Sequence, residues 1–211
     1  MLLFEMPLLS ATHRPQCGFC LRPQSTCICR WVRPTAHAVE VLLLQHPFEE
    51  HQAKGSARLL HLSLPHSSLL VGEAFTAPVW PVDGKHTLLL YPETPLDTAP
   101  DLQAPPQLPP EWLQDPSQLR LVVLDGTWRK SRKMLYQSPP LQRLPRLALR
   151  DMPPSHYRIR KAHLPDQLST LEATCAALVQ LESGGGDGGR FQPLLDAFDG
   201  FVAQQADYHL R

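Results

Sequence analysis

Residues 121–134, LVVLDGTWRKSRKM, bring a carboxylate and an indole to the end of an apolar run, with four cations directly behind them. An acid at the end of a buried strand is poorly solvated. Asp125 therefore has two readings: it caps the following helix through the amide of Thr127 or Trp128, or it serves a ligand as acceptor or general base. Trp128 likewise is either a core residue or a stacking surface, and Gly126 allows a tight turn or close approach by a ligand. Arg129, Arg132 and Lys133 share a helical face through i, i+3 and i+4 spacing, which suits phosphate contacts, while Lys130 lies off that stripe.

Cys17, Cys20, Cys27 and Cys29 form a second constellation, a Cys-x2-Cys followed by Cys-x-Cys. Two such pairs can set four thiolates tetrahedrally around Zn²⁺ at about 2.3 Å, and four ligands leave no open position for chemistry, so the expected site is structural. A redox pair or unrelated buried thiols are the competing readings. Cys175, near Ala173, Ala176 and Leu178, reads as an ordinary buried thiol. A third feature, LSTLEATCAAL, places Ser169 three residues before Glu172, the pattern of a capping box at a helix start. The same helix end offers free N–H groups and a positive dipole to a carboxylate ligand.

These residues need a scaffold. Residues 38–45, 87–91 and 120–124 are short, nearly continuous apolar runs, the pattern of strands buried on both faces of a parallel sheet. Residues 49–64, 128–138, 169–182 and 191–209 carry helical patterns between and after them. Strand and helix in alternation predict an α/β domain with helices over a mostly parallel sheet. Residues 92–116 hold eight of the 23 prolines and read as a long surface connection. The glycine-rich 183–189 follows a helix and lacks the Lys-Ser/Thr ending of a phosphate loop, so it reads as a flexible link. The expected division is a zinc-binding appendage over 1–34 and a catalytic domain over 35–211.

Net charge is zero, yet residues 120–161 carry eleven Lys and Arg against two acids, leaving nine basic and eighteen acidic residues elsewhere. That segregation suits binding of a polyanion on one face only. Solvated basic surfaces without a partner are the plain alternative. No apolar run approaches the roughly 18 to 20 residues that span a bilayer, and the first residues lack a basic leader with a sustained apolar stretch. Clustered cysteines and no membrane signal predict a cytoplasmic protein.

Asp125-x-Thr127-Trp128 resembles the signature of the DTW-domain family. The cysteine cluster, LLLQHPFEE, LLLYPE, LDGTWRKSRKM and LSTLEA are similar to successive family blocks in the same order, over residues 17–182, and single-domain bacterial members are most similar in layout. The resemblance implies a SPOUT-like α/β fold with a trefoil knot. It also implies an S-adenosylmethionine-dependent tRNA-uridine aminocarboxypropyltransferase, which moves the 3-amino-3-carboxypropyl group to uridine N3 and leaves methylthioadenosine. On that basis Asp125, Thr127 and Trp128 are the expected catalytic residues, with Asp125 as general base and Trp128 stacking on uracil or adenine. Tyr91, Pro92, Glu93, Ser169, Thr170 and Glu172 are the expected cofactor pocket, with His46 and Glu49 as weaker candidates. Arg129, Arg132, Lys133, Arg158, Arg160 and Lys161 are expected to meet tRNA phosphates, and no membrane or obligate protein partner is implied. A SPOUT-type RNA methyltransferase and a non-catalytic zinc-containing RNA-binding protein are the alternatives.

Overall fold

The computed structural model describes residues 15–93, 104–150, 168–182 and 189–208. In chain order these form β1 (Glu40–Gln45), α1 (Ala57–Ser63), β2 (Ser67–Val71), β3 (His86–Leu90), β4 (Leu119–Asp125), α2 (Trp128–Tyr136), α3 (Pro139–Gln142), β5 (Arg146–Leu147), α4 (Thr170–Glu182) and α5 (Gln192–Tyr208). The strands make one parallel sheet in the order β2-β1-β4-β3-β5.

Alternation along the central strands explains why both faces are covered. Val41, Leu43, Leu88, Leu121 and Val123 point one way and pack with Leu59, Leu171, Leu178 and Phe198 of α1, α4 and α5. Leu42, Leu44, Leu89, Val122 and Leu124 point the other way, onto Met134, Leu135 and Leu141 of α2 and α3. Every residue of β4 is buried, as expected of a strand in the middle of a helix-covered parallel sheet.

The three predicted strands are present within a residue or two. β2 and β5 are additions: β2 lies at the sheet edge with mostly half-exposed or exposed residues, and β5 has only two. The predicted helix over 49–64 shrinks to α1, because residues 47–55 run through tight turns instead, with the amides of Glu50, Gln52 and Gly55 each bonded to a carbonyl three residues back. Residues 104–116 of the proline-rich connection include a 3-10 turn at Pro110–Gln114, and its Trp112 stacks on His86 at 4.3 Å. The remainder of that connection at 94–103, and 183–188 of the glycine-rich link, lie outside the described residues.

The cysteine-bearing segment shares the main core. Cys20 and Ile28 are buried in the same apolar cluster as β1, α1, α4 and α5. Trp31 lies on α5 where Gly200 leaves room, and Arg30 and Trp31 both donate to Gln204 Oε1. A Cβ at Gly200 would stand 2.9 Å from Trp31 Cε3 and closer to the two ring atoms beyond it.

At the amino-terminal end of the sheet, Arg120 is fully buried. It donates to Glu40 Oε1 and Oε2 at 2.8 and 3.1 Å and to Asp83, and Lys85 adds a 3.0 Å bond to Glu40. The hydrogen bond from Arg120 is the main cause holding both carboxyls below their ordinary range, against desolvation.

Folded-state pKa values that are depressed contribute stability above the unfolded value of about 4 and lose it as pH falls through the folded one. Arg120→Met is thus expected to lower stability near neutrality, because it leaves Glu40 and Asp83 without their shared buried partner. In urea titrations the gap from the parent should narrow below about pH 4; a constant gap would contradict the ion-pair account. Gly200→Ala should lower the melting temperature, by an overpacking cost of about 1–3 kcal/mol, although alanine is ordinarily the better helix former.

Candidate active site and metal centre

β1 and β4 are neighbours, but the chain leaves them in opposite directions, from β1 to β2 at one edge and from β4 to β5 at the other. Such a switch point opens a crevice at the carboxyl ends of the strands, where α/β sheets place ligands. Asp125 ends β4 there, paired in register with Gln45, and is 3% exposed. Its Oδ2 accepts from Gln45 Nε2 at 2.8 Å and its Oδ1 from Thr170 Oγ1 at 2.6 Å. Its backbone carbonyl accepts from the His46 amide at 2.9 Å. Hydrogen bonds to a carboxylate are short and directional, so this acid is held in one orientation.

The helix-cap reading of Asp125 is corrected. Thr127 is the cap of α2, accepting from the Lys130 amide at 3.4 Å. The physical reason is parity: Leu119, Leu121, Val123 and Asp125 face α4, away from α2. Trp128 is not a core residue either. It is 48% exposed, with its ring stacked 5.2 Å from Tyr91 at 19°. Tyr91 is buried beneath it, and Arg146 lies 5.0 Å over the same ring while donating to the Pro92 carbonyl at 3.4 Å.

At the start of α4 the capping box is formed. The Ser169 amide donates to Glu172 Oε2 at 2.7 Å, and the Glu172 amide donates to Ser169 Oγ at 3.2 Å. Thr170 alone of the three predicted residues there reaches Asp125 in a hydrogen bond. Glu93 and Glu172 line one cavity of about 1350 Å³, which runs between α4, α5, β5 and residues 105–113. Asp125, Thr127 and Trp128 do not line it, so the acid and this cavity are neighbours and not one pocket. Position at the strand ends is the better guide to chemistry here, because it depends on the buried core and not on loop packing.

His46 shapes the turn after β1, its Nδ1 accepting from the Phe48 amide at 3.1 Å and its Nε2 lying 3.2 Å from Glu73. Two of the α2 cations are paired with acids distant in sequence: Lys130 with Glu49 at 2.8 Å and Lys133 with Glu73 at 2.6 Å. Hydrogen bonds from Lys133, then His46, hold the Glu73 carboxyl below its ordinary value. Arg132 donates to the Tyr136 hydroxyl at 3.0 Å, and Arg129 is exposed. Arg120 and Arg146 are buried and leave the basic surface expected from the charge count. Arg158, Arg160 and Lys161 lie outside the described residues. Gln45 was not singled out by sequence, although it is the polar end of an otherwise apolar run.

The four cysteines converge. Cys17 and Cys29 sulfurs are 3.6 Å apart, those of Cys20 and Cys27 3.7 Å, and all four lie within 4.8 Å of one another. A tetrahedron of thiolates at about 2.3 Å from a central ion has edges of about 3.8 Å, so the cluster fits a metal ion. The amides of Cys20 and Phe19 draw the Cys17 thiol down to about 6, while burial pushes Cys29 up to about 12. Such thiols ionise together only around a cation. The cluster is fastened to the loop after β1 by Arg22, which donates to the carbonyls of Ala53 and Gly55 at 2.6 and 2.9 Å. Arg58 returns a 3.1 Å bond to the Phe19 carbonyl.

The sequence pattern of the DTW domain matches residues 14–206. The chain belongs to the DTW domain family. A Mus musculus protein named tRNA-uridine aminocarboxypropyltransferase 2 is 33% identical over 196 residues, 85% of this chain and 61% of that protein. A Drosophila melanogaster protein of the same name is 32% identical over 184 residues, 81% of this chain and 68% of that one. An Arabidopsis thaliana protein named tRNA-uridine aminocarboxypropyltransferase A is 30% identical over 142 residues, 61% and 53% of the two lengths. The chain thus spans less than two thirds of the mouse relative. No solved structure matches it. Among the described residues, no helix is long and apolar enough to cross a membrane.

In this DTW domain the cysteine cluster and the acid are linked through the loop after β1, whose ends touch Arg22 and the Asp125 backbone. The purified protein is expected to carry one divalent ion per chain by elemental analysis. Cys27→Ser, or removal of the ion by a chelator, should lower the melting temperature, because Cys20 and Ile28 belong to the main core. Unchanged melting after complete removal would show that the cluster stands apart from the fold.

Proposed function

We propose that this chain transfers the 3-amino-3-carboxypropyl group of S-adenosylmethionine to N3 of a uridine in tRNA, releasing methylthioadenosine. The observation that carries the reading is a buried, doubly hydrogen-bonded carboxylate at the strand ends of a DTW domain, in the motif that defines the family. The names of the mouse, fly and plant relatives supply the substrate and the group transferred.

Uracil N3 carries a proton and is a poor nucleophile until it loses it. Asp125 accepts that proton, with Gln45 and Thr170 keeping its oxygens in place. The N3 electron pair then forms a bond to the carbon next to sulfur in the aminocarboxypropyl arm. The carbon–sulfur pair returns to sulfur, a cation becomes a neutral thioether, and the proton passes from Asp125 to water. S-adenosylmethionine is already an activated donor, so the chief task of the protein is to aim that arm in line and keep the methyl group away. Tyr91, Pro92, Glu93, Ser169, Thr170 and Glu172 are proposed to bind it. Support comes from Glu93 and Glu172 sharing one cavity, and from Thr170 joining that helix start to the acid.

Thr127 is proposed to position the start of α2 and Trp128 to stack on a ring of one substrate. Arg129, Arg132 and Lys133, with Arg158, Arg160 and Lys161, are proposed to meet tRNA phosphates. Zn²⁺ is the proposed occupant of the cysteine cluster, since four sulfurs at tetrahedral spacing suit it. The division at residue 34 into appendage and catalytic domain, and a SPOUT-like knot, are proposed as well. Four cysteines gathered as metal ligands and a fifth, Cys175, outside any disulfide suit the cytoplasm.

Incubation with S-adenosylmethionine and unmodified tRNA should give a uridine carrying the aminocarboxypropyl group and methylthioadenosine, both read by mass spectrometry. S-adenosylhomocysteine would identify a methyltransferase instead, and no turnover across varied tRNAs would favour a binding protein. Asp125→Asn should lower kcat by about 10²-fold or more with folding and cofactor affinity kept. Near-normal turnover would remove Asp125 from the role of base.

A further inference from the structure

The mechanism leaves Phe48 unused, although no described aromatic ring is more exposed: 72% of it faces water. Exposing a phenyl side chain forgoes the stabilisation that its burial would bring. The chain nevertheless fixes the backbone that presents it. Pro47 precedes it, its amide donates to His46 Nδ1 at 3.1 Å, and its carbonyl accepts from Gln52 Nε2 at 3.0 Å. The His46 amide in turn donates to the Asp125 carbonyl. Phe48 is thus an exposed ring on a rigid turn, no more than about 15 Å from the Asp125 backbone by chain length and strand spacing.

Its surroundings indicate what it meets. Lys130 Nζ stands 5.7 Å from the ring centroid, kept there by Glu49, and the exposed Arg129 is the next residue on α2. The His46 ring lies 5.3 Å away, and Gln52 and Glu49 complete the neighbourhood. A lone ring among charged and polar groups is a poor apolar interface for another protein, whose contact core would exclude charge. A ring with cations beside it is the arrangement that holds single-stranded nucleic acid, the base on the ring and the phosphate by the cation.

We propose that Phe48 is a stacking platform for an unpaired base of the RNA substrate close to the target uridine, with Lys130 and Arg129 serving the adjoining phosphates. The assignment rests on the tRNA reading above and adds to it a second aromatic surface. Asp125 on β4 stands between β1, which leads to Phe48, and β3, which leads to Tyr91 and its partner Trp128. RNA would then be held on both sides of the acid.

The test uses the full chain, unmodified tRNA as probe, and the variants Phe48→Ala and Phe48→Trp. Loss of one base–ring stack is worth about 1–3 kcal/mol, so Phe48→Ala should raise the Kd for tRNA roughly 5- to 150-fold. It should raise KM for tRNA more than it lowers kcat. The melting temperature and the Kd for S-adenosylmethionine should stay at the parent values, and Phe48→Trp should restore tRNA affinity. The slope of log Kd against log salt should not change in Phe48→Ala, because no phosphate contact is removed, whereas Lys130→Ala should make it shallower by about one. Unchanged tRNA affinity in Phe48→Ala, or a Phe48→Trp protein as weak as the alanine variant, overturns the proposal. If the parent protein binds tRNA through Phe48 yet transfers nothing, the proposal stands and the catalytic reading falls. If it transfers normally with Phe48→Ala binding unchanged, the reverse holds, and a parent that binds no RNA overturns the proposal outright.

Discussion

A carboxylate taken out of water has to be satisfied by the protein, and the way this is done for Asp125 orders the structure around it. Among the described residues, one donor is Gln45, its register partner on β1, and another is Thr170, the first residue of α4. Register and chemistry are therefore the same constraint. A slip of one residue between β1 and β4 would turn Gln45 to the opposite face and bring apolar Leu44 towards the acid. The alternation that buries Val41, Leu43, Leu121 and Val123 against α4 also delivers both polar ends to the same side.

Charge behaves differently in space and in sequence. The basic segment looks like a continuous electropositive surface when read along the chain. In the fold the buried Arg120 is paired with Glu40 and Asp83 at the rim, Arg146 covers Tyr91, and Lys130 and Lys133 meet Glu49 and Glu73. Acids far away in sequence thus return to the cations of α2. What remains is a narrower basic surface around Arg129 and the outer ends of those ion pairs, which suits local contact with a few phosphates more than broad attraction.

Elements that carry their own period were legible in the sequence: β1, β3 and β4 as apolar runs, and α2, α4 and α5 as amphipathic stretches. So were features fixed by close spacing, namely the cysteine cluster, the Ser169–Glu172 capping box and the DTW motif. The edge strands β2 and β5 were not, since one is largely exposed and the other has two residues, too little for any pattern. Partners were least legible. Gln45 and Thr170 stand 80 and 45 residues from Asp125, and no local rule links them. The same is true of Trp31 and Gly200, where a glycine within α5 makes room for a ring 169 residues away in sequence.

Parity along the sheet finally bears on how the acid and the indole of the motif cooperate. Asp125 is bonded on the α4 side, whereas Trp128 stacks on Tyr91, which packs with the α2 side. The two therefore do not face each other across a cleft on one face of the sheet. A planar group that touches both must lie over the strand ends, with its face towards the indole and an edge towards the carboxylate. Under the proposed reaction, uracil would present its N3 proton on an edge, a pose that allows stacking and deprotonation together. A group lying flat in the cavity between α4 and α5 would meet neither residue. The Asp-x-Thr-Trp spacing serves this arrangement: two residues of turn, ending in the Thr127 cap, are enough to carry the chain from one face of the sheet to the other.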